Sequence, residues 1–513
     1  MSAIAHAIFA VPPFPGATPA QVVRIGADDG ASNVTAHALI AAFRKHRVGG
    51  AFWLETTRSD AGMYNPWTQS PVEQLFQADD RSALLAAIAG HKVVTQGNGA
   101  FSDLGKFEHG GGDADEALLG LVQEHLLTGI RYHDPFTGER TSPLTLIEIL
   151  AGWRDLIEAN RPLAAAFGFA HWKQDTVAPL LWGGRPTPFR PARTAELDSI
   201  AAGASIAVWK ARVPEDFLTR LETGPWRTVE VEDGFIRSTG LGADCVPPLS
   251  IVVDDLGVHY DPQRPNRLEE MLASGDFSSD DLIRARHLRE WLVREGISKY
   301  GVGGGAALLR QGGDRRHILV VGQVEDDRSV QFGGGAVRSN LELLRRVRAR
   351  EPDAWLVYRP HPDVEAGHRR GAIPARTALD LADAIDPASP ISALIAMVDE
   401  VHVITSLAGF EALLQGKSVT THGTPFFAGW GLTRDLGKPS PRRGIGRSID
   451  ELVAAVLLRY PRYLDPVTNL PGTAEMLVMR LLAGVQRQND ALVPMRRLVG
   501  WAKRAVAQFV GIR

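Results

Sequence analysis

Short β-branched runs alternate with stretches of helical periodicity along most of this chain, and that alternation admits few solutions other than α/β layers built on parallel sheets. The strand candidates are Ile206 to Trp209, Thr228 to Val231, Leu249 to Val253, Ile318 to Val321, Trp355 to Tyr358, Val401 to Ile404 and Ser418 to Thr421. Between them, Arg338 to Arg350 and Phe410 to Leu414 carry helical spacing and good helix formers. The glycine run Gly301 to Gly305 reads as a hinge between two sheets or as a loop that touches ligand.

At 513 residues the chain exceeds one core, and the usual domain size of roughly 150 residues suggests about three domains. A net charge of -3 gives no global argument for nucleic-acid binding, so none is expected. The single cysteine, Cys245, excludes an internal disulfide framework and fits a reducing, cytoplasmic compartment. No run reaches the roughly 18 apolar residues of a membrane span, and the N-terminus lacks the basic region of a secretory signal. From Pro494 onward there is no acid, and Arg496, Arg497, Lys503 and Arg504 alternate with Leu498, Trp501, Val506 and Phe509. Such a segment suits an interfacial helix on anionic lipid; a terminal helix packed on its own domain is the alternative.

The chain also repeats itself. LVQEHLLTGIRYHDPFT from Leu121 aligns without gaps with LVAAVLLRYPRYLDPVT from Leu452, with about half the positions identical. Upstream, AGHKVVTQGNGAF near Gly90 echoes QGKSVTTHGTPFF near Gly416. Residues 20–140 therefore read as a diverged copy of 315–470. Where the second copy has YRPHPD after its strand, the first has LETTRSD after Ala51, Phe52 and Trp53, without the His-Pro pair. The first copy is expected to be a scaffold.

Polar groups collect where the strands of the second copy end. Ile318 to Val321 run into GQVEDDRSVQFG, whose Glu325, Asp326 and Asp327 are either a polar turn or a catalytic carboxylate at a strand tip. Arg359-Pro360-His361-Pro362-Asp363 holds His361 in a stiff turn, where it caps or binds ligand. Thr405 and Ser406 precede a helix ending at Gly416, whose N-terminus is a natural anion site. His361, Ser406 and Glu411 are thus placed to surround a phosphate-bearing ligand, with Glu411 reaching toward a ribose hydroxyl. Earlier, Val229 to Val231 lead into Glu232-Asp233-Gly234, and Asp254-Asp255-Leu256-Gly257 reads as a hairpin turn. A divalent metal is not expected, since a helix terminus, His361 and Arg359 already supply positive charge to a phosphate.

The runs EDGFIRSTGLGAD, PLSIVVDDLGVHYDPQRPNRLE, GQVEDDRSVQFG, RPHPDVEAG, TSLAGFEALLQGKSV and FFAGWGLT, in this order, resemble the retaining β-Kdo glycosyltransferases of Gram-negative capsule polysaccharide biosynthesis, of the KpsC type. The likeness covers about residues 195–470, one complete module, whereas that family carries two in tandem. It implies a GT-B-like pair of Rossmann-type domains, with an additional N-terminal degenerate Rossmann-like domain in this chain. The implied organisation is a degenerate half-module at 1–140, a helical linker at 141–194, an acceptor-side domain at 195–305, a CMP-Kdo-binding domain at 306–470 and C-terminal helices at 471–513. It also implies Asp327 as nucleophile, closing a pattern with Gln323 and Ser329, in a double displacement through a Kdo-Asp intermediate. Glu232 is the candidate base for the acceptor hydroxyl and Asp233 the less favoured neighbour. Lys299, Arg328 and Arg359 are cations for the Kdo carboxylate or the phosphate. CMP-Kdo is the implied donor, with no further cofactor. A lipid-linked or oligosaccharide acceptor, capsule-assembly proteins and the inner-membrane surface are the implied partners. A GT-B-shaped sugar-nucleotide epimerase and a non-catalytic assembly scaffold are the competing readings.

Overall fold

A computed structural model describes residues 2–26, 34–105, 112–238, 246–299, 301–302, 308–367 and 369–485. Cys245, the glycines at 303–305 and the basic segment 494–513 lie outside the described residues. The chain forms two compact units. The first comprises Met1–Leu163, Ala178–Thr187 and Val467–Pro471, and the second Ala164–Val177, Pro188–Pro466 and Gly472–Arg513.

The first unit contains strands β1 (Val23–Ile25), β2 (Glu73–Gln77), β3 (Lys92–Gln96), β4 (Ile130–His133) and β5 (Arg140–Thr141). β1, β4 and β5 form an antiparallel sheet, while β2 and β3 pair in parallel with the helix Ser82–Ala89 between them. Phe9 is at the centre of its core, with ring centroids 5.2 Å from Phe43 and 4.6 Å from Tyr132. Ala51, Phe52 and Trp53, expected as a strand, are buried in a turn instead. Gly49 and Gly50 just before them take positive φ of 100° and 63°, which breaks an extended run.

The second unit contains β6 (Leu163–Phe167), β7 (Phe189–Arg190), β8 (Ser205–Val208), β9 (Arg227–Asp233), β10 (Ser250–Asp254), β11 (Ile297–Ser298) and β12 (Gly301–Val302). It continues with β13 (His317–Val321), β14 (Trp355–Arg359), β15 (Ala384–Ile385), β16 (Glu400–Val403), β17 (Ser418–Thr421) and β18 (Arg434–Asp435). β19 (Pro461–Leu464) and β20 (Pro471–Gly472) follow. One sheet has the order β20-β19-β10-β9-β8-β6-β7 and is mixed. The other, β15-β14-β13-β16-β17-β18, is parallel throughout.

β13 reads HILVV and is buried along its whole length, as a central parallel strand covered on both faces must be. Ile318, Val320, Leu356 and Tyr358 pack with Leu343, Leu344 and Val347 of the helix Asn340–Arg350. Each such side chain, fully buried, contributes roughly 1.5–3 kcal/mol. The strand order reverses between β13 and β16, and in such sheets the crevice beyond the strand ends at that point receives ligand.

Two expected boundaries move. The segment 141–194 is not a helical linker: the helix Pro143–Asn160 is followed by β6 and β7, paired in parallel with Ala166 opposite Phe189. The run LAAAF of β6 lacks β-branched residues, so burial rather than propensity makes it a strand. The expected domain at 306–470 also loses its last strand, because β19 pairs antiparallel with β10 of the other sheet, Tyr463 opposite Ser250. That pairing covers what would otherwise be an open edge.

The repeat is visible in three dimensions. β2, the helix Ser82–Ala89 and β3 match β16, the helix Leu407–Leu414 and β17, and Gly90 and Gly416 both end the helix with positive φ. Downstream, π-helical turns at Gln123–Leu127 and Ala454–Arg459 each precede a short strand. Tyr132 donates its hydroxyl to the Leu126 carbonyl at 2.6 Å, and Tyr463 does the same to Leu457 at 2.7 Å. The match continues past residue 140, to helices capped by Ser142 and Thr473.

Candidate active site

The three carboxylates after β13 have three different fates. Glu325 accepts the Asn340 backbone N–H at 2.8 Å and so braces the next helix. Asp326 pairs with Arg369 at 3.4 Å. Asp327 is exposed at the N-terminus of the short helix Arg328–Gly333 and accepts the Ser329 hydroxyl at 2.6 Å. Gln323, expected to bind donor, is instead buried and committed to Thr405. Its Oε1 accepts the Thr405 N–H at 2.7 Å and its Nε2 donates to Thr405 Oγ1 at 3.0 Å. The pair ties the exits of β13 and β16 together beneath the crevice.

After β14, Arg359 donates to the Asp386 carbonyl at 2.9 Å, and burial lowers its pKa. His361 caps the turn Pro362–Glu365, its Nδ1 accepting the Asp363 N–H at 3.1 Å. The neutral ring therefore carries its proton on Nε2 as a donor. Burial pulls its pKa below the usual histidine range, against the opposing charges of Asp363 and Asp327. After β16, Ser406 caps the helix Leu407–Leu414 by accepting the Ala408 N–H at 3.3 Å. Glu411, one turn on, was expected to reach a ribose. Its Oε1 accepts the backbone N–H of Lys299 at 3.0 Å, and burial pushes its pKa up to about 7 despite Lys299.

β9 of the other sheet ends in Glu232 and Asp233. The Asp233 backbone N–H donates to Glu232 Oε1 at 3.0 Å. Burial, reinforced by the charge of Asp233, pushes Glu232 up to about 7. Burial acts on Asp233 in the same sense, but the cations Arg237, Lys173 and Lys299 outweigh it and hold its carboxyl well below the usual range. Arg237 Nε is 2.9 Å and Lys173 Nζ 3.4 Å from its two oxygens.

Two residues knit these groups into one site. The charge of Lys299 acts on Glu232, Asp233, His259, His361 and Glu411. Tyr260, whose ring stacks at 6.5 Å on Phe332, lies in the fields of both Glu232 and Asp327. Arg328 donates to the Lys210 carbonyl at 3.1 Å and thereby fixes the Asp327 helix to the segment after β8. The site thus has an exposed carboxylate at the exit of β13 in one sheet and, at the end of β9 in the other, a carboxyl whose pKa burial pushes up to about 7. Asp254 Oδ1 accepts the N–H groups of Leu256 and Gly257, as a turn aspartate does. Among the described residues no group of three or more His, Cys, Asp or Glu is placed to hold a metal ion.

Lys173, Arg237, His259 and Tyr260 were not singled out by sequence reasoning. Arg237, His259 and Tyr260 lie inside the motifs that carry the family resemblance; Lys173, in HWKQD, carries no local signal.

The family described as capsule polysaccharide biosynthesis protein matches residues 222–300 and 304–463. The lipopolysaccharide-processing protein LpsZ of Rhizobium meliloti is 39% identical over 327 residues, covering 62% of this chain and 73% of LpsZ. The chain belongs to the capsule polysaccharide biosynthesis family. Within the family, the capsule polysaccharide modification protein LipA of Neisseria meningitidis serogroup B is 37% identical over 383 residues, 74% of this chain and 54% of LipA. The chain spans about half the length of that curated relative. Among solved structures, Thermosulfurimonas dismutans KpsC, β-Kdo 2,7 transferase, is 34% identical with a TM-score of 0.51. The β-Kdo 2,4 transferase of the same protein is 28% identical with a TM-score of 0.53. Each likeness covers 62% of this chain and 98% of the solved one. These likenesses agree with the α/β fold described above and with membership of the family.

Proposed function

We propose that this chain carries a retaining β-Kdo transferase module that moves Kdo from CMP-Kdo to a saccharide acceptor by double displacement. The observation that carries the reading is the pair of unlike carboxyl groups, exposed Asp327 and Glu232 with its pKa pushed up by burial, whose charges both act on Tyr260. Two α/β sheets in one unit, with β19 returning from the second to the first, support a GT-B-like arrangement.

In the first step an Asp327 oxygen bonds to the anomeric carbon while the bond from that carbon to the CMP phosphate oxygen breaks, and CMP leaves with the electron pair. His361 Nε2–H and the N-terminus of the helix Leu407–Leu414 are the donors for the departing phosphate, and Lys299 supplies positive charge nearby. In the second step Glu232 takes the acceptor hydroxyl proton, the acceptor oxygen bonds to the anomeric carbon, and the Asp327 carboxylate is released. Two inversions retain configuration. On this reading the acceptor is lipid-linked or oligosaccharide, and the reaction takes place at the cytoplasmic face of the inner membrane. The basic segment from Pro494 supports that location. Among the described residues no helix is long and apolar enough to cross a membrane.

The test is intact-protein mass spectrometry after incubation with CMP-Kdo alone. A Kdo adduct mapped to residues 322–333 and absent in Asp327→Asn is expected. Full transfer by Asp327→Asn, or an adduct on Glu232, would overturn the assignment.

A further inference from the structure

Lys173 lies on the helix His171–Val177, which follows β6, and only 7% of it is exposed. Its ammonium is 3.3 Å from the centre of the Trp209 ring and 5.3 Å from that of Trp172, and it meets Asp233 Oδ1 at 3.4 Å. A buried ammonium is costly unless paired, and here an aromatic face and a carboxylate share it. The other Asp233 oxygen belongs to Arg237, which is 1% exposed and itself anchored to Ser238 Oγ at 2.9 Å and the Val246 carbonyl at 2.8 Å. Each Asp233 oxygen thus has its own buried cation, while the Asp233 backbone N–H is given to Glu232.

We propose that Lys173 is a positioning residue of this site, which with Arg237 locks Asp233 as a permanent anion beside Glu232 and leaves Glu232 as the carboxyl that exchanges the acceptor's proton. The inference rests on the reading of Glu232 as base given above. The charged and titratable groups acting on or near Glu232 come from every element around it. Asp233 and Arg237 belong to the end of its own strand, Lys173 to the helix after β6, Lys299 to the end of β11 and Tyr260 to the loop after β10. Asp233 raises the Glu232 pKa and Lys173 lowers it, so the two partners of one ion pair act on the base with opposite sign.

That opposition supplies a test a merely structural role would not pass. In the full chain, Lys173→Met removes a cation from the Glu232 environment, and the acid limb of the pH profile for transfer moves to higher pH. Asp233→Asn removes an anion, and the same limb moves to lower pH, each by about one pH unit. The titration of the Glu232 carboxyl, followed by ¹³C NMR and assigned by difference from Glu232→Gln, moves in the same two directions without donor or acceptor. Asp233→Asn keeps shape and most hydrogen bonds, and Lys173→Gln, which also removes the cation but keeps a donor for Asp233, replaces Lys173→Met if that variant does not accumulate as folded protein. Titrations that coincide with the wild type, or shift in the same direction in both variants, would overturn the proposal. Opposite shifts by NMR with no Kdo transfer by the wild type would instead sink the transferase reading and leave the electrostatic role of Lys173 standing.

Discussion

Gln323 and Thr405 are joined by two hydrogen bonds across the point where the strand order of the parallel sheet reverses, at 2.7 Å and 3.0 Å. The side-chain amide supplies an acceptor to a backbone N–H and a donor to a hydroxyl, a combination that a carboxylate or an alkyl chain cannot reproduce. Gln323→Leu leaves the buried Thr405 N–H without its partner. A loss of roughly 2–4 kcal/mol is expected, since a buried unsatisfied group costs about 1–3 kcal/mol and packing changes add to it. Urea denaturation followed by tryptophan fluorescence measures this, and a midpoint equal to that of the wild type would contradict it.

Ser329 orients the Asp327 carboxylate through its 2.6 Å hydrogen bond. Ser329→Ala frees the carboxylate to rotate away from the anomeric carbon. Formation of the Kdo adduct should slow by roughly tenfold, the equivalent of about 1.4 kcal/mol, with the fold unaffected. Rapid-quench mass spectrometry reads the rate directly.

Glu411 gives a pH signature. Its pKa is raised from 4.5 to about 7 in the fold, so between those values the folded chain keeps a proton the unfolded chain has released. The stability this contributes is fully present below pH 4.5 and is lost as pH rises through about 7. Histidines whose pKa values are lowered, such as His259 and His422, act in the opposite sense over part of the range, so the wild-type curve alone does not isolate Glu411. Glu411→Gln keeps an acceptor for the Lys299 N–H and has no proton to lose. The melting temperature of Glu411→Gln relative to wild type should rise from pH 4.5 to pH 7 and then level off. A constant difference across that window would rule this out.

The paired tyrosine latches predict parallel losses. Tyr132→Phe and Tyr463→Phe each leave a carbonyl of a π-helical turn without its hydroxyl donor. Each should destabilise its own unit by about 1 kcal/mol. Hydrogen exchange should speed up around residues 123–133 in the first variant and 454–464 in the second, and exchange that accelerates in neither would contradict the latch.

How much of this was legible follows from where each interaction reaches. β13, β14, β16 and β17 were readable because strands buried on both faces become apolar runs, such as ILVV in β13. β6 was not, since its alanines carry no strand preference and the sheet alone makes them extended. Asp327 is singled out through a family resemblance alone; the structure shows it exposed just beyond β13. Glu411 was expected at a ribose because local spacing says nothing of Lys299, 112 positions earlier, which comes back to meet it. The ion pair of Lys173 with Asp233 spans 60 positions and leaves no trace in either neighbourhood. Gln323 was read as a ligand contact for the same reason: its partner is 82 residues away.

The π turns at Gln123–Leu127 and Ala454–Arg459 bear on what the two copies have in common. A π turn is what an α-helix becomes when it accommodates one inserted residue. Here the same widening occurs at the same place in both copies, and in each a tyrosine six residues beyond the freed carbonyl repairs it. What the two copies share is the widened turn together with the tyrosine that closes on it, so the turn and its tyrosine behave as one unit of structure in both.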